Sequence, residues 1–131
     1  MIITEPSDQE NAIGKAIVQA AYMVHKQLGP GLLEHIYEVC FCHELGKKGF
    51  LVERQVALPI VYDGILFEEG LRVDVFVDRL VICELKAVQE LLPVFTAQLL
   101  SQLKLADKKL GFLLNFNVPI MKQGIKRIVR S

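Results

Sequence analysis

Tryptophan is absent from this 131-residue chain, and cysteine is scarce, with three in all. Cys40, Cys42 and Cys83 form an odd set without the layout of a disulfide framework, so a reducing, cytoplasmic interior is expected. No uninterrupted apolar run is long enough to span a bilayer, which argues against a membrane protein. Met1-Ile2-Ile3-Thr4-Glu5-Pro6 lacks the basic start and long apolar stretch of a signal peptide. An excess of either charge is missing too, because 15 Lys and Arg balance 15 Asp and Glu. Proteins that live on duplex DNA usually carry a positive excess, since phosphate neutralisation supplies most non-specific affinity. Any nucleic-acid groove must therefore arise from patterning. Lys122, Lys126, Arg127 and Arg130 do crowd the C-terminal end, and Lys104, Lys108 and Lys109 close a predicted helix; such runs also serve as plain solvated faces.

Several chemical signatures are lacking as well. Gly29-Pro30-Gly31 has neither the G-x-x-x-x-G-K-[ST] pattern nor the preceding strand of a phosphate loop. There is no G-x-S-x-G elbow and no nucleophilic triad. Cys40-Phe41-Cys42-His43 does not make a zinc site, because residues two apart on a helix point to nearly opposite sides and no second ligand pair follows. Buried free thiols account for it better.

What is present is an apolar fraction of 52%, ample for one core, and residues 1–131 are most simply one domain. Ser7 and Glu10 form a capping box, and Ile13, Ala16, Ile17, Ala20, Ala21, Val24 and Leu28 recur at helical spacing to about Leu28. After the Gly29-Pro30-Gly31 break a second helix runs from about Leu32 to Gly46, with Leu33, Ile36, Tyr37, Cys40, Phe41 and Leu45 available as its apolar face. Strands are predicted over Val52–Tyr62 with an interruption at Pro59, then, past an Asp63-Gly64 turn, over Ile65–Phe67, Leu71–Val77 and Leu80–Lys86. A third helix starts near Pro93 and runs to about Lys109, burying Phe95, Leu99, Leu100, Leu103 and Leu110 or their neighbours. Gly111–Phe116 and Gly124–Arg130 complete the order α-α-β-β-β-β-α-β-β. This is an α/β (α+β-like) architecture, a mixed sheet flanked by helices.

Two of these strands carry charge where a core strand should be apolar: Asp74 in the first, Glu84 and Lys86 in the second. Burying a carboxylate is costly unless it is paired or bound to a cation. Glu84 and Lys86, two apart on one strand, share a face. Asp74 joins them only if antiparallel partners sum to an even number. A two-residue turn at Asp78-Arg79 would pair Val77 with Leu80 and set Asp74 opposite Cys83, on the wrong side. A three- or five-residue connection, or a bulge, is therefore predicted. Two such carboxylates suit Mg²⁺ or Mn²⁺, hard ions that favour oxygen ligands, and the backbone carbonyl of Leu85 can add another. Such an ion polarises a phosphoryl oxygen and acidifies a bound water, while Lys86 would orient that water or stabilise phosphate charge. The spacing alone serves equally for a buried ion pair of Lys86 with Asp74 or Glu84. Arg54 and Arg72, on strands near the acidic cluster, can bind phosphate or simply neutralise the carboxylates.

Val24-His25-Lys26-Gln27-Leu28-Gly29-Pro30-Gly31-Leu32-Leu33-Glu34-His35-Ile36-Tyr37 resembles the signature of the GxxExxY protein family, with Gly31, Glu34 and Tyr37 at its named positions. The resemblance continues through Glu53-Arg54-Gln55, Arg72-Val73-Asp74, Glu84-Leu85-Lys86, Ala97-Gln98-Leu99-Leu100 and Gly111–Phe116, covering about residues 8 to 130. That family is grouped with the PD-(D/E)XK nuclease superfamily. The resemblance implies Asp74 and Glu84 as metal ligands, Lys86 as the catalytic lysine and Glu34 as a further acidic residue from the preceding helix. Related enzymes often carry Gln-x-x-x-Tyr on the helix after the lysine strand. Here Gln98 is present, but Gln102 replaces the Tyr, so polar contact survives and base stacking does not. Glu34 and Tyr37 share a helix face and would point together to the site; alternatively, Glu34 answers the helix dipole and Tyr37 packs in the core. His25 is read as capping the helix end or bonding the following loop. The expected function is metal-dependent phosphodiester hydrolysis in DNA or RNA. The rivals are a non-catalytic module that binds nucleic acid or a protein, and an enzyme for a small phosphorylated substrate, which needs a closed pocket. With so little net charge, a homodimer or a protein partner is expected to assist substrate delivery.

Overall fold

A helix begins where its first N–H groups find acceptors. Ser7 Oγ accepts the Glu10 N–H at 3.0 Å, and the Glu10 carboxylate accepts the Ser7 N–H at 2.8 Å. The expected capping box therefore opens helix α1, Asp8–Leu28. The computed structural model describes residues 5–131; residues 1–4, which make up most of the stretch read above as unlike a leader, lie outside the described residues. The stripe Ile13, Ala16, Ile17, Ala20, Ala21 and Val24 is buried as its spacing requires. Gly29, at φ +68°, ends the helix with its N–H on the His25 carbonyl.

Helix α2, Glu34–Lys47, starts later than the sequence suggested, because Leu33 is its N-cap. Tyr37, Phe41 and Leu45 are fully buried, whereas Leu33 and Ile36 stay exposed. Strands β1, Val52–Tyr62, and β2, Ile65–Val77, form one long hairpin around Asp63 and Gly64, both at positive φ. The segments Ile65–Phe67 and Leu71–Val77, expected as separate strands, are the two ends of β2. Between them the register shifts, from Leu58 opposite Leu71 to Ile60 opposite Phe67, with Pro59 facing the extra residues. Gly70 makes this possible, since a Cβ there would lie 2.7 Å from the Ile60 nitrogen.

Strand β3, Val81–Lys86, is followed by helix α3, Pro93–Ala106, and strand β4, Leu110–Asn115. Helix α3 is shorter than expected because Asp107 turns into the left-handed region at φ +53°, and it buries Leu99 and Leu103 but not Leu100. A short 3-10 turn, Met121–Gly124, leads into strand β5, Ile125–Val129. The five strands lie in the order β1-β2-β3-β4-β5, antiparallel except for the parallel pair β3–β4. This is the mixed sheet flanked by helices that the sequence implies. Helices α1 and α2 close one face over Val75, Val77, Cys83, Leu85 and Phe112. Helix α3 closes the other over Val73, Phe76, Ile82 and Leu113. Each fully buried Leu or Phe in these layers contributes about 2 kcal/mol by leaving water.

One buried polar side chain ties the end of β3 to its neighbour. The Asn115 amide donates to the Val88 carbonyl and accepts the Val88 N–H, both at 3.0 Å, and also accepts the Asn117 N–H. This fixes the segment immediately after Lys86. Asn115→Ala strips three bonds and leaves both Val88 groups without these partners, so urea unfolding is expected to show a loss of about 2 kcal/mol.

Candidate functional site

The connection between β2 and β3 is the three-residue turn Asp78-Arg79-Leu80, with Asp78 and Arg79 both at positive φ. A short side chain at Asp78 tolerates this conformation, and its carboxylate ties the turn to the residue before β1 by accepting the Leu51 N–H at 2.8 Å. Arg79 is held by Glu53 at 2.7 Å and by the Phe76 ring. The turn pairs Val77 with Val81, Phe76 with Ile82 and Val75 with Cys83, an even sum throughout. That sum is the parity the sequence required, and Asp74 and Glu84 are the residues next beyond the last pair.

At that point main-chain pairing stops and side chains take over. The Asp74 carboxylate accepts the Leu85 N–H at 3.0 Å, while the Glu84 carboxylate accepts the Asp74 N–H at 3.3 Å. The two acids therefore stand against each other in the seam between β2 and β3. Burial, and then the charge of Asp74, push the Glu84 carboxyl up to about 8 from its ordinary 4.5. Gln102 on α3 lies beside it and pulls the other way by hydrogen bonding. The buried Oε1 of Gln102 has no hydrogen-bond partner among the described residues.

On the α2 side the seam opens into a cavity of about 120 Å³ lined by Glu34, His35, Glu38, Gln55, Asp74 and Leu85. Glu38, which sequence reasoning passed over, is the buried acid of this wall. Its Oε2 accepts Nε and a terminal nitrogen of Arg54 at 3.1 and 2.9 Å, and its Oε1 accepts Gln55 Nε2 at 2.7 Å. Gln55, at φ +51°, also directs Nε2 towards Asp74 Oδ1 at 3.5 Å. The signal available in sequence was the spacing of Glu38 from Glu34, one turn apart on the same helix face.

The remaining candidates divide clearly. Lys86 lies on the α3 side, its Nζ 4.4 Å from the centre of the Phe95 ring, and among the described residues it forms no ion pair with Asp74 or Glu84. Lys126 donates to Thr96 Oγ1 at 2.9 Å, so two ammonium groups stand at the start of α3. Gln98 is exposed on α3 and Glu34 is exposed at the start of α2. Arg54 is paired with Glu38, and Arg72 donates to the Gln55 carbonyl at 3.1 Å, so both brace the wall and only Arg54 neutralises an acid of it among the described residues. Tyr37 corrects the expectation of a substrate contact. It is fully buried, its ring stacks on Phe116 at 4.7 Å, and its hydroxyl donates to the Gly29 carbonyl and accepts the Leu32 N–H. It shapes the Gly29–Leu32 loop instead. The His25 ring nitrogen lies 2.7 Å from the Val118 carbonyl, so it bonds a distant segment rather than the Gly29-Pro30-Gly31 loop that the sequence suggested.

Cys40, Cys42 and Cys83 are free thiols. Burial pushes the Cys42 thiol up to about 12, and Cys83 is raised well above its ordinary range. Neither is a thiolate near neutrality, so neither is an activated nucleophile. A wider groove of about 430 Å³ between α1 and α2, lined by Met23, Val39, Cys40 and His43 among others, shares no residue with the seam.

A paired Asp and Glu-x-Lys across two adjoining strands, with a mixed sheet and helices on both faces, meets an independent finding: the sequence model of the PD-(D/E)XK nuclease superfamily matches residues 11–128. The chain belongs to that superfamily. No curated protein and no protein of solved structure matches the chain. The superfamily pattern sets the test of whether these residues suit a divalent cation. The donors available are all oxygen: the Asp74 and Glu84 carboxylates, the Leu85 carbonyl and the partnerless Gln102 Oε1. Among the described residues no three Asp, Glu, His or Cys side chains converge on one point, so main-chain, amide and water oxygens would have to complete the shell. This set fits a hard cation, which tolerates mixed oxygen ligands.

Two expectations follow from the electrostatics. Because the folded protein holds a proton on Glu84 up to about pH 8 and the unfolded chain releases it near 4.5, stability contributed by the protonated carboxyl falls as pH rises through that window. Urea unfolding between pH 6 and 9 is expected to show the metal-free protein losing up to a few kcal/mol, with the slope flattened in Glu84→Gln. Glu38→Ala removes the acceptor of Arg54 and Gln55, and the same method is expected to give a loss of about 2 kcal/mol.

Proposed function

We propose that the protein is a divalent-metal-dependent nuclease that hydrolyses phosphodiester bonds in DNA or RNA. The observation that carries this reading is the contact between Asp74 and Glu84 where strand pairing ends, with Glu84 pushed up to about 8 by burial and by its neighbour's charge. Two acids so placed favour a cation between them, because it removes the repulsion that otherwise keeps one protonated. Asp74, Glu84 and the Leu85 carbonyl would hold Mg²⁺ or Mn²⁺, with Gln102 Oε1 within the same oxygen set. The ion would supply Lewis-acid stabilisation of the phosphate and a water of lowered pKa.

The chain's own groups do the rest. Lys86, resting on Phe95 and in no ion pair with a carboxylate among the described residues, is placed to swing from the ring and stabilise phosphate charge or orient the attacking water by donating to it. Lys126 at the same helix start adds positive charge for a backbone phosphate, and exposed Gln98 offers an amide one turn from Gln102. Glu34, at the rim of the small cavity, provides an acidic group facing Asp74 from the other side of the seam. That cavity, at about 120 Å³, is too small for a metabolite pocket of roughly 300–1,000 Å³. A polymer lying across the surface suits it better than a small phosphorylated molecule. The Gly31, Glu34 and Tyr37 signature supports placing the chain within the GxxExxY branch of the superfamily.

Calorimetric titration with Mn²⁺ tests the reading without a choice of substrate. Saturable binding by the wild type, lost in Asp74→Ala and Glu84→Ala, is expected. With metal bound, Lys86→Ala is expected to retain affinity for the ion and to lower cleavage of a labelled oligonucleotide at least 10²-fold. A folded wild type that binds no Mn²⁺, with or without an oligonucleotide, would refute the proposal.

A further inference from the structure

The backbone at Lys86 is pinned from both sides. Lys86 pairs with Asn115 in the parallel ladder, its carbonyl accepts the Phe116 N–H at 3.0 Å, and the Asn115 amide fixes Val88 just beyond it. Its side chain, on a flexible four-carbon stem, remains able to choose a neighbour. Glu84 is one choice: it shares that face of β3 and lies about 6.6 Å back along the strand, a span that a lysine and a glutamate close readily. The Phe95 ring is the other. The structure shows which is taken, for Nζ lies 4.4 Å from the centre of that ring and, among the described residues, Lys86 forms no ion pair.

Phe95 is itself anchored. It stands in the first turn of α3, which Pro93 opens, and its N–H bonds the Leu92 carbonyl at 3.0 Å. Its ring packs on the layer that holds Leu99, Leu103 and Leu113. Because the ring is half-buried, the ammonium above it is partly stripped of water, and attraction to the π face strengthens accordingly. Lys126, the second ammonium of this turn, is held separately on Thr96.

We propose that Phe95 is a positioning residue: its ring draws the Lys86 ammonium off Asp74 and Glu84 and leaves that carboxylate pair open to a divalent cation. The proposal rests on the reading of the seam as a metal site. An ammonium seated against the two acids would neutralise them in the cation's place, and an entering cation would have to expel it. With Lys86 on the ring, the carboxylates keep the Leu85 and Asp74 N–H groups as donors, and those bonds leave lone pairs free for a metal. The ring also keeps the ammonium close. A phosphate reaching the start of α3 offers it a charged acceptor, a stronger partner than a π face, so Lys86 is released when substrate charge arrives.

The metal-free protein gives the first readout. In lysine-labelled protein the Cε–H resonance of Lys86, identified by its absence from Lys86→Met, is expected upfield of the other lysines, because ring current shields a group above a ring face. The displacement is expected to vanish in Phe95→Leu. Calorimetric titration with Mn²⁺ gives the second. Phe95→Leu is expected to bind about fivefold more weakly than the wild type, the order of a partly desolvated cation–π contact, and Phe95→Tyr to match the wild type. Combining Phe95→Leu with Lys86→Met is expected to regain wild-type affinity, since no ammonium is left to compete. A deficit that persists in the double variant means that the ring acts through the packing of α3, and it overturns the proposal. Wild-type affinity in Phe95→Leu, or an undisplaced Lys86 resonance in the wild type, overturns it as well. A wild type that shows the displaced resonance yet binds no Mn²⁺, with or without an oligonucleotide, refutes the metal reading of the seam and removes the proposal with it.

Discussion

Two main-chain N–H groups, those of Asp74 and Leu85, are given up by strand pairing and taken by carboxylates. The rest of the site depends on that exchange. In an uninterrupted sheet those donors would bond backbone carbonyls, and the acids would have no reason to enter the seam. Here the Asp74 and Glu84 side chains satisfy buried donors, which offsets part of the cost of removing them from water. Burial, together with the closeness to Asp74 that these bonds impose, raises the Glu84 carboxyl and creates an electrostatic tension that a cation can relieve.

The walls of the seam serve that arrangement from opposite faces of the sheet. On one side α2 offers Glu38, whose two oxygens brace Arg54 and Gln55 against the strand carrying Asp74. On the other, α3 offers Gln102 beside Glu84 and Phe95 beneath Lys86. Neither helix contacts both carboxylates in the same way, so the two acids meet different surroundings.

Much of this was legible in the sequence because the relevant signals are short-range. Capping chemistry marked the start of α1, and period-two alternation marked Glu84 and Lys86 as sharing a face. Parity went further: it excluded a two-residue turn and required the longer one that Asp78-Arg79-Leu80 forms. What escaped was information carried by contacts between distant segments. Glu38 looks like any helical glutamate until Arg54 and Gln55 arrive from β1. Tyr37 seemed available for the site because helix spacing set it near Glu34, but the fold turns it inward, where its hydroxyl closes the Gly29–Leu32 loop. The break at Glu68-Glu69-Gly70 read as the end of a strand, whereas a bulge opposite Pro59 lets one strand pass through. The superfamily match supports the fold and the class of chemistry, while the individual roles of the seam residues rest on geometry and on the experiments that test it.

The parallel pairing of β3 with β4 has a consequence for the order in which the protein assembles. Strands β2 and β3 are joined by a tight turn and can find each other by local search, bringing Asp74 to Glu84 early. Strand β4 reaches β3 only after the whole α3 crossover has formed, and non-local closure of this kind is slow. Gln102, Phe95 and Asn115 therefore arrive after the two acids have met. A nascent hairpin would possess the two carboxylates without the helix that buries them, and the tension between their charges would be absent. The chemistry of the seam is in this sense a property of the completed chain.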